Sequence, residues 1–168
     1  MCKLYQSVAV YFGGTKKWTI GTLSLIFLLS SFFVNAAEAP VGIIKTMKGA
    51  ASIIRKDKVI PAKIGERIFV KDALRTGPDG SLGMTFKDDT LLSIGPKSEA
   101  LIDEFLFSPA ENRLSIVTRL LKGTAAYLTG TIGKLSPESV HFETPVANVG
   151  IRGTKFAVKI EEDGTRSQ

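Results

Sequence analysis

The sequence predicts an all-β domain of short strands, arranged as a solenoid or, alternatively, as a β-sandwich, behind an apolar N-terminal signal helix. Two observations support this prediction. Apolar residues from Val41 onward recur mostly at every second position, and Gly, Pro and Asp interrupt these runs at short intervals. The chain has 168 residues, of which 44% are apolar and 23% charged. This length and composition fit one globular domain and exclude an intrinsically disordered chain.

Ten segments of the chain fit the strand pattern. Leu82, Met84 and Phe86 alternate with small or polar residues, which predicts a strand with one buried and one solvated face. Pro78, Asp79 and Gly80 come just before it and have the chemistry of a tight turn. The predicted strands are residues 42–47, 50–55, 68–70, 81–86, 90–94, 100–105, 113–121, 124–128, 140–143 and 155–160.

One of these segments also fits a helix. Over residues 111–122, Leu114, Val117 and Leu121 have helical spacing. The alternation over 114–120 and the β-branched residues within it favour a strand, and we predict a strand here.

A weak internal similarity suggests solenoid coils. Residues 48–51 (KGAA) resemble residues 122–126 (KGTAA), and each is followed at a similar distance by a Thr-Gly or Thr-Pro corner, at 76–77 and 144–145. The distance is near the length of one solenoid coil, although two copies do not prove a repeat.

The first 36 residues predict a signal peptide. Lys16 and Lys17 precede an uncharged apolar run over residues 18–34, and small residues follow that run. We place the cleavage between Ala36 and Ala37. An uncleaved anchor formed by residues 18–34 is the alternative, because the run is only slightly shorter than a membrane span.

The predicted organisation is a signal peptide over residues 1–36, a β domain over residues 37–160 and a flexible or truncated tail over residues 161–168. In the tail, Asp163 and Gly164 resemble a hairpin turn without a returning strand. The predicted location is periplasmic or secreted, or at the inner membrane if the anchor is kept. The single cysteine lies at position 2, so the β domain has no disulfide to stabilise it.

The net charge does not indicate a nucleic-acid partner. The chain carries a formal +6, but three of its 22 basic residues and none of its 16 acidic residues lie in the first 36 positions. The remainder therefore has a formal charge of only +3. Lysines and an arginine do cluster early in the domain, where they could face anionic envelope polymers: Lys45, Lys48, Arg55, Lys56, Lys58 and Lys63.

Catalytic and metal-binding patterns are absent from the sequence. The only histidine, His141, lies in an alternating segment and is predicted to be an ordinary strand residue. Adjacent carboxylates in strands point to opposite faces and make poor acid–base pairs. A calcium site at Asp79, Asp88 and Asp89 lacks the spaced oxygen ligands of a known loop. We therefore predict no enzyme, no cofactor and no metal.

Three segments resemble the FecR domain family: residues 72–81 (DALRTGPDGS), 84–90 (MTFKDDT) and above all 144–156 (TPVANVGIRGTKF). The resemblance extends from about residue 41 to residue 160 and implies an extracytoplasmic bacterial all-β module, often solenoid-like, without known catalytic residues. We expect a structural role for the motif residues, although Arg152 could instead bind a partner. The motif residues are Arg75, Thr76, Gly77, Thr144, Pro145, Gly150, Arg152, Gly153 and Thr154.

The best-known members of that family are regulators with a cytoplasmic anti-sigma region before a membrane segment. Here 17 residues precede the apolar run, against about 50 for a folded domain, so we expect no anti-sigma region. The leading hypothesis is a non-enzymatic module that binds a protein or an envelope polymer through a β edge or a concave face. The alternative is a component of a cell-surface signalling system that regulates a sigma factor through a separate partner.

Overall fold

The structure is a computed structural model, and it describes residues 38–146, 148–150, 155–161 and 164–167, with side chains over 38–146 and 155–160. These residues belong to one compact unit, Glu38–Gln168. The predicted signal peptide lies outside the described residues, as do Arg152, Gly153 and Thr154 of the motif. No helix in the described part is long and apolar enough to cross a membrane.

The described part is mostly β, as predicted, and its strands form one sheet that curls into a half-barrel. Two short 3-10 turns, Pro109–Glu111 and Pro137–Ser139, and one short helix, α1 (Thr131–Leu135), connect strands. The strands are β1 (Gly42–Lys48), β2 (Ala51–Arg55), β3 (Lys58–Pro61), β4 (Arg67–Ile68), β5 (Ala73–Thr76), β6 (Ser81–Phe86), β7 (Leu91–Ile94), β8 (Glu99–Ser108), β9 (Arg113–Leu128), β10 (Val140–Glu143), β11 (Asn148–Gly150), β12 (Lys155–Glu161) and β13 (Gly164–Ser167).

Strand pairing is antiparallel except between β9 and β10. The main path through the sheet is β3-β2-β5-β8-β9-β7-β6-β1-β4, and β10 with β11 and β12 with β13 branch from β9. A solenoid stacks parallel strands from successive coils, so this antiparallel path differs from the predicted solenoid. The two similar segments instead place Gly49 and Gly123 at positive φ, +64° and +87°, where the backbone turns sharply.

Strand β9 joins two parts of the sheet. Its N-terminal part pairs with β8 and β10, and its C-terminal part pairs with β7 and β12. Gly123 lies between these parts with φ +87°, a conformation that bends the strand. We call β3-β2-β5-β8 with the first part of β9, β10 and β11 the first half-sheet. The second half-sheet is β4-β1-β6-β7 with the last part of β9, β12 and β13.

The concave side of the curled sheet is filled by one hydrophobic core. Alternating residues of each strand point into it, so Leu82, Met84 and Phe86 of β6 are at most 2% exposed. Tyr127 packs between Phe142 and Phe156, with ring centroids 5.6 and 5.3 Å away.

The ten predicted strands overlap nine observed strands, because segments 113–121 and 124–128 are one strand, β9. The overlap is smallest at β4, where the predicted segment 68–70 shares only Ile68 with the observed strand. The strand assignment of 113–121 over a helix is confirmed. Strands β3, β5, β11 and β13 were not predicted. They have three or four residues each and lack a clear apolar alternation, as β13, Gly-Thr-Arg-Ser, shows.

The end of the chain differs from the sequence prediction. β13 pairs antiparallel with β12, with Ile160 opposite Thr165 and Glu161 opposite Gly164. The expectation of a hairpin turn without a returning strand is therefore wrong.

The buried carboxylate of Asp88 fixes α1 against the turn between β6 and β7. It accepts hydrogen bonds from the Thr90 hydroxyl at 2.7 Å, from the Thr90 N–H at 3.2 Å and from the Ile132 N–H at 3.3 Å. The Thr90 hydroxyl in turn accepts the N–H of Gly130 at 2.9 Å. Asp88 is thus satisfied by protein donors, which explains how a carboxylate is tolerated at 1% exposure.

Candidate binding surface

The outer faces of the two half-sheets differ in charge. Ion-paired side chains lie on the first, whereas two rows of residues that cross the second from β1 to β9 carry no charge. This contrast makes the outer face of the second half-sheet the candidate binding surface.

On the first half-sheet, one charged cluster centres on Glu99 of β8. The carboxylate accepts two hydrogen bonds from Arg75 of β5, at 3.0 and 3.2 Å, and lies 3.7 Å from the Lys122 ammonium of β9. The paired Glu99 raises the pKa of Arg75. Both cations therefore share one carboxylate on a neighbouring strand, and the cluster keeps a net charge of +1.

A second cluster links the loop before β5 to β8, β9 and β10. Arg119 donates to Glu143 at 2.9 Å and to Asp103 at 3.1 Å, and Lys71 also donates to Asp103. The hydrogen bond from Lys71, with the charge of Arg119, holds the pKa of Asp103 below its ordinary value. Here two cations face two carboxylates, so the charges of this cluster balance.

The outer face of the second half-sheet is built from rows of directly opposed residues. One row crosses β1, β6, β7 and β9 through Ile43, Thr85, Leu91 and Leu128. The adjacent row contains small residues across β1, β6, β7, β9 and β12. We call the residues of both rows the platform: Ile43, Thr46, Gly83, Thr85, Leu91, Ser93, Ala126, Leu128 and Ala157.

The platform is partly apolar. Leu91 and Leu128 are cross-strand neighbours and are 39% and 37% exposed. Around Gly83, a Cβ would lie 2.4 Å from the Thr46 hydroxyl and 3.4 Å from that of Ser93, so the glycine lets these side chains lie close to the sheet. A partner can approach such a surface closely.

Cations border the platform. Arg67 of β4 and Lys155 of β12 occupy the two ends of the row that contains Leu91, because Arg67 is opposite Ile43 and Lys155 is opposite Leu128. At the Arg67 end lies an open groove of about 360 Å³, which Lys45 and Lys87 also line. The platform therefore combines an uncharged centre with a positive border.

A buried ion pair supports the same end of the domain. Asp72, 1% exposed, accepts hydrogen bonds from Arg55 Nε and Nη2 at 2.8 and 2.7 Å and from the Phe69 N–H at 2.8 Å. Arg55 also donates to the carbonyl of Arg67 at 2.9 Å and lies 4.4 Å above the Phe69 ring. This cluster fixes the backbone at Arg67.

Comparison with known protein families matches residues 72–168, more than half of the chain, to the family described as FecR protein. The chain belongs to the FecR family. The resemblance found in the sequence is thereby confirmed, with the match beginning at residue 72 rather than near residue 41. No curated protein and no solved structure matches the chain.

The FecR match includes β5 to β13 and leaves β1 to β4 outside it. The platform is formed by both parts, because Ile43 and Thr46 lie before the match and the rest lie within it. The Arg67 end of the platform thus lies outside the matched range.

Two FecR motif residues form a hydrogen-bonded corner after β5. The buried Thr76 hydroxyl donates to the Gly95 carbonyl at 2.6 Å and accepts the Ser98 N–H at 2.9 Å. The Gly77 N–H donates to the Ala50 carbonyl at 2.8 Å. These contacts join three chain segments and are consistent with the expected structural role.

The remaining motif residues do not gather at one site within the described part. Arg75 is exposed and bound to Glu99, Thr144 is buried, and Pro145 is exposed. Gly150 lies in β11, opposite His141 of β10. The expected roles of Arg152, Gly153 and Thr154 stay predictions.

The described residues hold no cluster of metal-binding side chains. His141 is an exposed strand residue, as predicted. Asp88 is buried and hydrogen-bonded, and within the described ranges no three His, Cys, Asp or Glu side chains lie close enough to hold a metal ion. Tyr127 is 1% exposed, and burial raises the pKa of its hydroxyl, so it stays protonated.

The platform was not predicted from the sequence. The sequence does show that the outward-facing residues of two strands are uncharged. These residues are Gly83 and Thr85 in β6, and Leu91 and Ser93 in β7. Such positions are unremarkable in any single strand and form a surface only when the five neighbouring strands of the platform share them.

Proposed function

We propose that this FecR-family protein is a non-enzymatic extracytoplasmic interaction module, which binds an envelope polymer or a protein through the platform. The observation that supports this proposal is the uncharged, exposed outer face of the second half-sheet with its positive border. Exposed apolar side chains beside unpaired cations favour a partner that is anionic and partly apolar. Of the two classes, an anionic envelope polymer fits this border better.

A β edge is the other surface to consider. Among the described strands β3 pairs with β2 alone, and its Val59 is 68% exposed. However, β3 has four residues, begins with Lys58 and ends with Pro61, which lacks an N–H to donate. Short edge strands with lysine and proline oppose the addition of another strand, so the platform is the better candidate.

Photo-crosslinking in cells tests the platform. A photoreactive residue at Leu91 is expected to give an adduct with the partner, because Leu91 lies in the middle of the platform. The matched control is the same residue at Leu135 of α1, which is 60% exposed and outside the platform. The Leu128→Glu variant is expected to reduce the Leu91 adduct at least about tenfold, since it places a carboxylate in the apolar centre.

The other outcomes discriminate between surfaces. An adduct at Val59 without one at Leu91 would assign binding to the β3 edge and contradict the proposal. Equal adducts at Leu91 and Leu135 would mean that no specific surface is used. Digestion of the adduct with protease and with glycan-degrading enzymes identifies the partner as protein or polymer.

A role in signalling is the second candidate, and membership of the FecR family favours it. In this case the protein regulates a sigma factor through a separate partner. A Leu91 adduct with an envelope protein, together with altered sigma-dependent transcription in the Leu128→Glu strain, would support this candidate over polymer binding.

An extracytoplasmic function also requires that the protein is exported from the cytoplasm. We expect cleavage between Ala36 and Ala37, because Lys16, Lys17 and the apolar run over 18–34 have the order of a secretion signal. N-terminal sequencing of protein recovered from the envelope should begin at Ala37. An intact N-terminus in the membrane fraction would indicate the anchored alternative, and recovery from the cytoplasm alone would contradict an extracytoplasmic function.

A further inference from the structure

We propose that the groove at the Arg67 end of the platform binds the phosphate group of an anionic ligand. This inference deepens the proposed function, since it names the chemical group that the platform's partner presents. The groove is formed where β4, β1 and β6 lie side by side, together with the turn after β6.

Three cations from separate segments line this groove. Arg67 comes from β4, Lys45 from β1 and Lys87 from the turn after β6. Asp89 is the one carboxylate of the lining, so the lining carries a net charge of +2. Three cations held around one concavity repel each other, and an anion in the groove relieves that repulsion.

The charge pattern elsewhere makes this groove unusual within the domain. Of the arginines whose side chains the structure describes, Arg67 is the one without an ion pair; Arg55, Arg75, Arg113 and Arg119 each contact a carboxylate. Lys45 and Lys87 likewise make no ion pair with the described residues. Among the arginines with described side chains, Arg67 is therefore the one left available to a ligand.

The donor set matches phosphate. A guanidinium presents paired N–H groups that fit two phosphate oxygens, and lysine ammonium groups add positive charge. The hydroxyl of Thr85, also in the lining, is a neutral donor beside Ile43. At about 360 Å³ the groove can accept a phosphate together with an attached sugar or glycerol.

The backbone beneath Arg67 is fixed, which favours specific binding. Its carbonyl accepts a hydrogen bond from Arg55, and Arg55 is held by the buried Asp72. A ligand at Arg67 therefore meets a pre-ordered strand and loses less free energy to ordering of the protein.

Titration calorimetry on the full chain in non-ionic detergent tests the inference. The probes are glucose 1-phosphate and non-ionic micelles doped with phosphatidylglycerol, with acetate as the carboxylate comparison. We expect at least one phosphate probe to bind, and the combined variant Lys45→Gln, Arg67→Gln and Lys87→Gln to lower its affinity at least about tenfold. Binding of the soluble probe indicates a phosphorylated glycan, and binding of the doped micelles alone indicates a lipid headgroup.

The matched control removes three positive charges outside the groove. Lys58→Gln, Lys63→Gln and Lys134→Gln change three exposed lysines outside the groove and should leave the affinity within about twofold. An equal loss in both variants, equal binding of acetate, or no binding of either phosphate probe would overturn the inference. The proposed function is tested separately: a protein that binds phosphate but gives no Leu91 adduct would contradict the proposed function and leave the inference standing.

Discussion

Replacing Gly123 with alanine is expected to destabilise the domain by about 3 kcal/mol. Gly123 has φ +87°, which costs a side-chain-bearing residue about 1 to 2 kcal/mol. In addition, a Cβ would lie 2.2 Å from Ser98 Oγ and 2.6 Å from Ser98 Cα, so Ser98 must move. Its hydroxyl accepts the Thr124 N–H at 2.9 Å, and the loss of that bond adds about 1 kcal/mol.

Gly65→Ala is the matched control for this prediction. Gly65 has nearly the same φ, +88°, but no atom lies within 4 Å of the position of its missing Cβ. We expect a cost of only about 1 kcal/mol from the backbone conformation. Urea unfolding followed by circular dichroism measures both variants. Equal losses would contradict the conclusion that the close packing of Ser98 against Gly123 stabilises the bend in β9.

Replacing Asp72 with asparagine is expected to cost about 2 to 3 kcal/mol. The carboxylate is 1% exposed and accepts three hydrogen bonds, two of them from Arg55. Asparagine leaves the Arg55 guanidinium without a counter-charge in a partly buried place, and removal of one partner from such a pair is strongly unfavourable. The Arg55 side chain is 26% exposed, and we set the cost below that of a fully buried pair for this reason.

Glu111→Gln provides the comparison for Asp72. Glu111 pairs with Arg113 at 3.4 Å, and both side chains are more than 60% exposed. Water solvates these charges when they separate, so we expect less than about 0.5 kcal/mol. The measurement is the free energy of unfolding of the two variants at neutral pH. A cost for Asp72→Asn as small as that for Glu111→Gln would show that Arg55 is solvated without its partner.

The Asp72–Arg55 ion pair also affects ligand binding at the groove. Asp72 holds Arg55, and Arg55 holds the Arg67 carbonyl at the edge of the groove. A variant at Asp72 that remains folded is therefore expected to weaken phosphate binding, even though Asp72 lies outside the groove lining.

The local sequence determined most of the strands and which of their faces are buried. The alternation of Leu82, Met84 and Phe86 with smaller residues fixes the two faces of β6, because successive side chains of a strand point to opposite sides. The motifs over 72–81 and 144–156 were sufficient to indicate the FecR family. Both kinds of information lie within a few neighbouring residues.

The tertiary structure alone decided which strands are neighbours and in what register. Ile43 lies opposite both Arg67 and Thr85, although these residues are far apart in the chain. A strand's alternation specifies a buried face but no partner, since any strand with a matching apolar face satisfies it. The pairing is selected by packing of the whole core, including the bend at Gly123 that lets β9 serve both half-sheets. The platform and its groove exist only through those pairings, which is why the sequence showed their residues but not their surface.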